Sequence, residues 1–191
     1  MKKTQYITIY FASQADWEKW LKKEHSIQKG IWIKLAKKNS EIPTITHQEA
    51  LETALCYGWI DAQSHGFDDK YWLLKFTPRG AKSVWSKRNC EIVERLKAEN
   101  KMQPAGLAAV AAAQKDGRWE AAYDSPKNMT MPEEFLKELT RNKKAKEFFD
   151  TLNKANTYAI GYRLQTAKKP ETKQKRIKKI IEMLAKEKKL H

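Results

Sequence analysis

Asp61 is the residue that most invites a chemical question. It stands in CYGWIDAQSH, residues 56–65, just after a helix pattern that ends at Gly58 and inside a stretch that reads as a strand. Side chains alternate faces along a strand, so Trp59, Asp61 and Gln63 share one side, and Ile60, Ala62 and Ser64 the other. An aromatic plate, an acceptor and an amide on one face fit an open groove that grips a ligand. A carboxylate there could also serve as a general base, given a substrate proton within reach and a raised pKa. Paired with a base such as Arg79, it would be a structural anchor, because pairing lowers a buried carboxylate's pKa.

The second candidate is FTPRGAKSVWSKRN, residues 76–89, where Arg79, Lys82, Lys87 and Arg88 surround Trp85 and Ser86. A helix starting at Ser86 leaves backbone N–H groups free to meet an anion. Basic side chains interleaved with Trp suit phosphate-plus-stacking recognition of a nucleotide or nucleic acid. The ordinary alternative makes Ser86 an N-cap and Trp85 an anchor between the two halves of the chain.

Other chemistries lack their residues. No G-x-S-x-G, Ser-x-x-Lys, GxGxxG or Walker loop occurs. His25, His47, His65 and His191 are scattered, and Cys56 and Cys90 are the only cysteines, in no CxxC. No metal, no cofactor and no disulfide is expected, and the two thiols read as free. The pair Asp68-Asp69 falls in a turn.

The elements that must position these residues are legible from their period. Residues 4–11 alternate as a strand. Ser13 with Asp16 resembles a capping box for a helix with Trp17, Trp20 and Leu21 on one face, and Phe11 or Ala12 could staple back onto Trp17. Residues 31–36, IWIKLA, form a second strand. Thr46 with Glu49 caps a helix ending at a C′ glycine, Gly58. Residues 59–65 and 70–76 form a hairpin around Gly66-Phe67-Asp68-Asp69. Helices then follow: from Ser86; from Pro104 to Asp116-Gly117; from Pro132 with a Phe135, Leu136, Leu139 stripe; from Asn142; one lined by Ala155, Tyr158, Ala159 and Tyr162; and one from Pro170 with Ile177, Ile180, Ile181 and Leu184. The segment 118–129 reads as the connection between lobes.

The chain of 191 residues, 41% hydrophobic with seven Trp, is long enough for a substantial core. Its net charge of +15 is uneven: residues 154–191 hold 12 basic against 3 acidic side chains, nine of the fifteen excess charges. Such a field favours anionic partners. The last helix joins a narrow apolar seam to a basic outer face, a pattern that docks on an acidic surface or, more commonly, packs on its own protein. The N-terminus lacks the apolar run of a signal peptide and no stretch approaches a membrane span, so a cytoplasmic protein is expected.

Four strings in one order, GWIDAQ (58–63), FTPRGAKSVWSKRN (76–89), GRWEAAYD (117–124) and YRLQTAKKPETKQKRI (162–177), resemble the YdeI/OmpD-associated family, also labelled bacteriocin-protection proteins. The resemblance runs from about Glu49 to the C-terminus. It implies a link to protection against bacteriocins or cationic antimicrobial peptides, and its name implies association with a porin. It brings no catalytic assignment; the matching positions Trp59, Asp61, Arg79, Trp85, Ser86 and Asn89 are ligand-binding candidates.

The expectation is an α+β fold: a small N-terminal mixed sheet with two helices over residues 1–85, and an all-helical lobe over residues 86–191. The leading functional reading is a non-enzymatic cytoplasmic binding or protection protein, its groove built from Trp59, Asp61, Gln63, Arg79 and the helix start at Ser86. Two others stand beside it: nucleic-acid binding through the basic C-terminal lobe, and an enzyme acting on a small anionic metabolite.

Overall fold

The structure, a computed structural model, describes residues 6–190. Residues 4 and 5 of the first expected strand, and His191, lie outside the described residues. The order is β-α-β-α-β-β followed by helices alone, with one four-stranded mixed sheet: an α+β fold.

Local signals set the first elements. β1 (Thr8–Tyr10) leads to α1 (Gln14–Glu24), whose N-cap Ser13 accepts a hydrogen bond from the Asp16 amide. β2 (Ile31–Ala36) follows. α2 (His47–Cys56) starts with both hydrogen bonds of the Thr46–Glu49 capping box, and just past its end Gly58 adopts φ 74°, a left-handed conformation that favours glycine. β3 (Trp59–Gly66) and β4 (Tyr71–Pro78) make the hairpin. Asp68 fixes its turn by accepting from the amides of Lys70 and Tyr71.

The strands lie in the order β1-β2-β4-β3, with β1 and β2 parallel and the other pairs antiparallel. Register decides which face is buried. Ile31, Ile33 and Leu35 stand opposite Phe76, Leu74 and Trp72, and this face carries the core. α1 covers it with Trp17, 5.6 Å from the Phe76 ring and stacked on Trp20 at 5.3 Å. Of the two expected staples, Phe11 is the one that packs on Trp17, at 5.2 Å. The indole N–H of Trp17 donates to the Ala50 carbonyl, which ties α1 to α2. A buried indole N–H left without an acceptor would cost about 1–3 kcal/mol.

Eight helices are described. α3 spans Lys87–Ala98 and α4 Pro104–Lys115, followed by α5 (Glu133–Arg141), α6 (Lys143–Asp150), α7 (Lys154–Gln165) and α8 (Pro170–Leu184). The chain divides into two compact units. One runs through Ser83 and includes Cys90–Trp119; the other holds Val84–Asn89 and the chain from Glu120 onward. In the first unit α4 lies against the end of α2, where the Gln103 amide donates to the Cys56 carbonyl at 3.0 Å. A Cβ on Gly106 would stand 2.2 Å from that same oxygen.

The second unit has its own core of Phe135, Leu139, Ala145, Ile160, Leu164, Ile177, Ile180 and Leu184. The apolar seam of α8 is therefore packed inside its own unit, while Lys175, Lys178 and Lys179 point outward. One expected stripe is displaced. α7 buries Ile160, Gly161 and Leu164, while Ala155 is exposed and Tyr158 and Tyr162 are half-buried. Two stripes at helical spacing coexist on α7, and the aliphatic one faces the core. Leu136 of α5 is likewise 43% exposed, whereas Phe135 and Leu139 are buried.

Candidate functional site

The row Trp59, Asp61, Gln63 does not form an open face. β3 breaks register against β4 between Asp61 and Ser64, so strict alternation fails in the middle of the strand. Trp59 is 1% exposed; its indole N–H donates to the His25 carbonyl at 3.1 Å, and its ring meets Trp17 and Trp20 edge-on. It is part of the core and presents no plate to a ligand. Gln63 is exposed. Arg79 follows β4 half-buried, its amide donating to the Gly58 carbonyl.

Asp61 stands opposite Phe76, on the sheet face that α2 covers, and its carboxylate meets His47 Nε2 at 3.1 Å. His47 opens α2, so the base that meets Asp61 comes from the helix start. Trp72 lies edge-on to the imidazole, at 6.4 Å. With side chains 42% and 28% exposed, this pair contributes little to stability. Asp61→Asn is expected to change the unfolding free energy by less than about 1 kcal/mol, measured by urea denaturation at pH 7.

Trp85, Ser86 and Asn89 are all buried and belong to the second unit. Ser86 is an N-cap, accepting from the Asn89 amide at 3.1 Å, and it bridges to Tyr123 through backbone hydrogen bonds. Beside it Lys87 pairs with Asp124 at 2.6 Å, and Gln165 brackets Asp124 by donating to its carboxylate and accepting from its amide. The Lys87 hydrogen bond holds the Asp124 carboxyl below the usual carboxylate range, against the opposing effect of burial. A depressed folded pKa stabilises above the unfolded carboxylate value, about 4, and the gain is lost as pH falls through the folded value. Asp124→Asn is therefore expected to weaken the chain at pH 7 and to flatten the loss of stability as pH falls below about 4. Denaturant titrations at pH 7 and at acidic pH check it.

A cleft of about 390 Å³ in the first unit is lined by Glu18, Glu52, Cys56 and Lys101, among others. Burial, reinforced by the negative charge of Glu18, pushes the Cys56 thiol up to about 11, so it is protonated at neutral pH and is no nucleophile. Burial alone would raise Glu52, but hydrogen bonds from Arg95 and Gln48 prevail and hold it low. Among the described residues, no three His, Cys, Asp or Glu are grouped to hold a metal ion.

The most distinctive surface is the other face of the sheet, which sequence reading passed over. Trp32, Lys34 and Ala36 of β2 stand opposite Lys75, Leu73 and Tyr71 of β4. Tyr10 of β1 and His65 of β3 continue the same face outward. Lys34 Nζ lies 4.0 Å from the Tyr71 ring centre and 4.6 Å from that of Phe67. Lys75 Nζ lies 3.9 Å from the Tyr6 ring centre and 5.9 Å from that of Trp32. Trp32 stacks on His65 at 4.4 Å, and Tyr10 meets Tyr71 edge-on. Phe67 and Tyr10 are 54% and 40% exposed. Leu73, in the middle, is 6% exposed, so the surrounding rings and lysine stems close over it. The signal was present in the alternate residues of IWIKLA and YWLLKF, where Trp, Tyr and Lys fall opposite the aliphatic face.

A helix-backed sheet with a ring-and-lysine outer face defines the first unit as an α+β domain with an exposed aromatic surface. The chain belongs to the family described as Domain of unknown function (DUF8412), whose model matches residues 9–109, more than half of its length. Residues 128–187 match a second family, described as Bacteriocin-protection, YdeI or OmpD-Associated, the one its sequence motifs resemble. That domain suggests a bacteriocin-protection type of function at the level of the family. No curated protein and no solved structure matches the chain.

Proposed function

We propose that the chain is a non-enzymatic binding protein whose working surface is the outer face of the sheet. The supporting observation is the pair of ammonium groups laid over rings of this face, Lys34 on half-buried Tyr71 and exposed Phe67, Lys75 on half-buried Tyr6. A ring face covered by a lysine becomes available to a flat ligand when the lysine turns aside, and the displaced ammonium is then free to meet an anion. The ligand class is thus flat, aromatic and anionic. A binding protein of this kind fits a protective role in the cytoplasm, exerted by capturing a ligand; porin association is carried by the family's name alone. Among the described residues, no helix is long and apolar enough to cross a membrane.

Titration of the full chain with adenosine monophosphate, followed by tryptophan fluorescence, tests the reading. A saturable change that is lost in Trp32→Phe and weakened in Tyr71→Ala supports it. A change indifferent to both substitutions, or none at all, contradicts it.

A second reading rests on His47 and Asp61. A carboxylate bonded to one imidazole nitrogen fixes the tautomer and leaves the other nitrogen for proton transfer. This would make the chain an enzyme acting on a small anionic metabolite. Turnover found in a metabolite screen and abolished by Asp61→Asn would establish it; turnover unaffected by that change would remove the pair from catalysis.

A further inference from the structure

We infer that the outer face of the sheet binds single-stranded nucleic acid, with bases stacked on Trp32, Phe67 and Tyr71 and the backbone held by Lys34 and Lys75. The inference rests on the sheet-face reading and names its ligand. Three features of the face favour this polymer over a small anion or an acidic protein.

The first is the number and spread of the rings. Tyr71 and Lys75 lie four residues apart on β4, about 13–14 Å at roughly 3.4 Å per residue. Tyr6, Trp32, His65 and Phe67 lie around them. That span accommodates two or three successive bases, the number a four-stranded sheet displaying aromatics typically takes. One small anion would leave most of it unused.

The second is the alternation of charge and ring. Each lysine lies over a ring, so a base that stacks there expels an ammonium group just where the adjoining phosphate needs one. Stacking and neutralisation are then coupled on the same pairs, Lys34–Tyr71 and Lys75–Tyr6. Lysine's long stem makes that exchange a rotamer change.

The third is the sign of the face. The outward register positions of the four strands, from Thr8 and Tyr10 of β1 to Ile60 and His65 of β3, include no carboxylate. The acidic pair Asp68 and Asp69 sits in the hairpin turn, where Asp68 is engaged by two backbone amides. Stacking requires bases with free faces, which a duplex hides, so single strands are preferred and sequence matters little. The basic outer face of α8 lacks such an array; Lys175, Lys178 and Lys179 flank a packed aliphatic seam.

The test is fluorescence anisotropy of labelled twelve-nucleotide dT and rU single strands, and of a DNA duplex of the same length, titrated with the full chain at low and at physiological salt. Single strands are expected to bind about tenfold or more tightly than the duplex. With two lysines neutralising phosphates, the logarithm of affinity should fall with that of salt with a slope of about −1.4. Phe67→Ala with Tyr71→Ala is expected to weaken single-strand binding roughly tenfold or more, with circular dichroism confirming that the chain is still folded. Phe67→Ala alone alters only an exposed turn residue and should give part of the loss. Lys175→Glu, Lys178→Glu and Lys179→Glu together should change it less than about threefold.

Equal affinity for the duplex, or no effect of the ring substitutions, overturns the inference; a dominant effect of the α8 triple change assigns the binding to the C-terminal unit. If no oligonucleotide binds while adenosine monophosphate still gives a Trp32-dependent signal, the polymer is wrong and the sheet-face reading stands. If neither binds, both fall.

Discussion

Gly106→Ala is expected to destabilise the first unit by about 3 kcal/mol, at the severe end of what one added methyl does in a packed site. The added Cβ would stand 2.2 Å from the Cys56 carbonyl oxygen and 2.8 Å from its carbon. Both are backbone atoms at the end of α2, so no side-chain rotation relieves the clash. That oxygen also accepts from the Gln103 amide, so pulling α4 away sacrifices a hydrogen bond at its own start. The helix propensity gained on replacing Gly with Ala, up to about 1 kcal/mol, offsets only part of this. Gly161 on α7 makes the contrast. A Cβ there would meet Sδ and Cγ of Met129 at 2.5 and 2.6 Å, atoms of a flexible side chain that can turn aside where backbone cannot. Gly161→Ala should cost much less than Gly106→Ala. Thermal melts separate the two: a fall of roughly 6–12 °C for Gly106→Ala and a much smaller one for Gly161→Ala. Equal melting temperatures would mean that α4 does not press on the end of α2.

Trp59→Ala is expected to cost about 3–5 kcal/mol, the usual range for emptying a buried aromatic site. The indole is 1% exposed, lies edge-on to Trp17 and Trp20, and hydrogen-bonds the His25 carbonyl just after α1. Its removal opens a cavity between α1 and the sheet and leaves that carbonyl without its indole donor. Chemical denaturation should show the loss in full, and Trp59→Phe should recover part of it without restoring the hydrogen bond. A Trp59→Ala variant with native stability would put Trp59 outside the core and reopen its role as a ligand plate.

The sequence speaks clearly where structure is local. The Thr46–Glu49 capping box, the Ser13 cap, the glycine after α2 and the proline starts of α4 and α8 all depend on hydrogen bonds or φ angles within a few residues. IWIKLA alternates over its whole length, and the strand has the expected bounds. Asp61 and Trp59 were harder because alternation says that two faces exist and leaves open which one is covered. A Trp beside an Asp looks like a groove until α1 is laid over it. The register break between Asp61 and Ser64 depends on pairing with β4, which no local signal announces. The sheet's outer face was overlooked for a related reason: its rings are contributed by β2, β4 and the hairpin turn, and become neighbours only once Trp32 is registered against Lys75. On α7 two stripes, Tyr158 with Tyr162 and Ile160 with Leu164, have the same spacing, so period alone could not choose between them.

Net charge was also an incomplete guide. Most of the positive excess lies in the last 38 residues, yet among the described residues the lysines laid over rings of the aromatic face are two, Lys34 and Lys75. Charge sets the long-range attraction of an anionic ligand; rings set where it rests.

The most direct measurement is a ¹H–¹³C aromatic NMR spectrum of the full chain with and without a twelve-nucleotide dT strand. The account predicts shifts concentrated in the rings of Tyr6, Trp32, His65, Phe67 and Tyr71, with the buried rings of Trp17 and Trp59 unmoved. Rings of the sheet face that stay fixed while amides of α8 shift would contradict it.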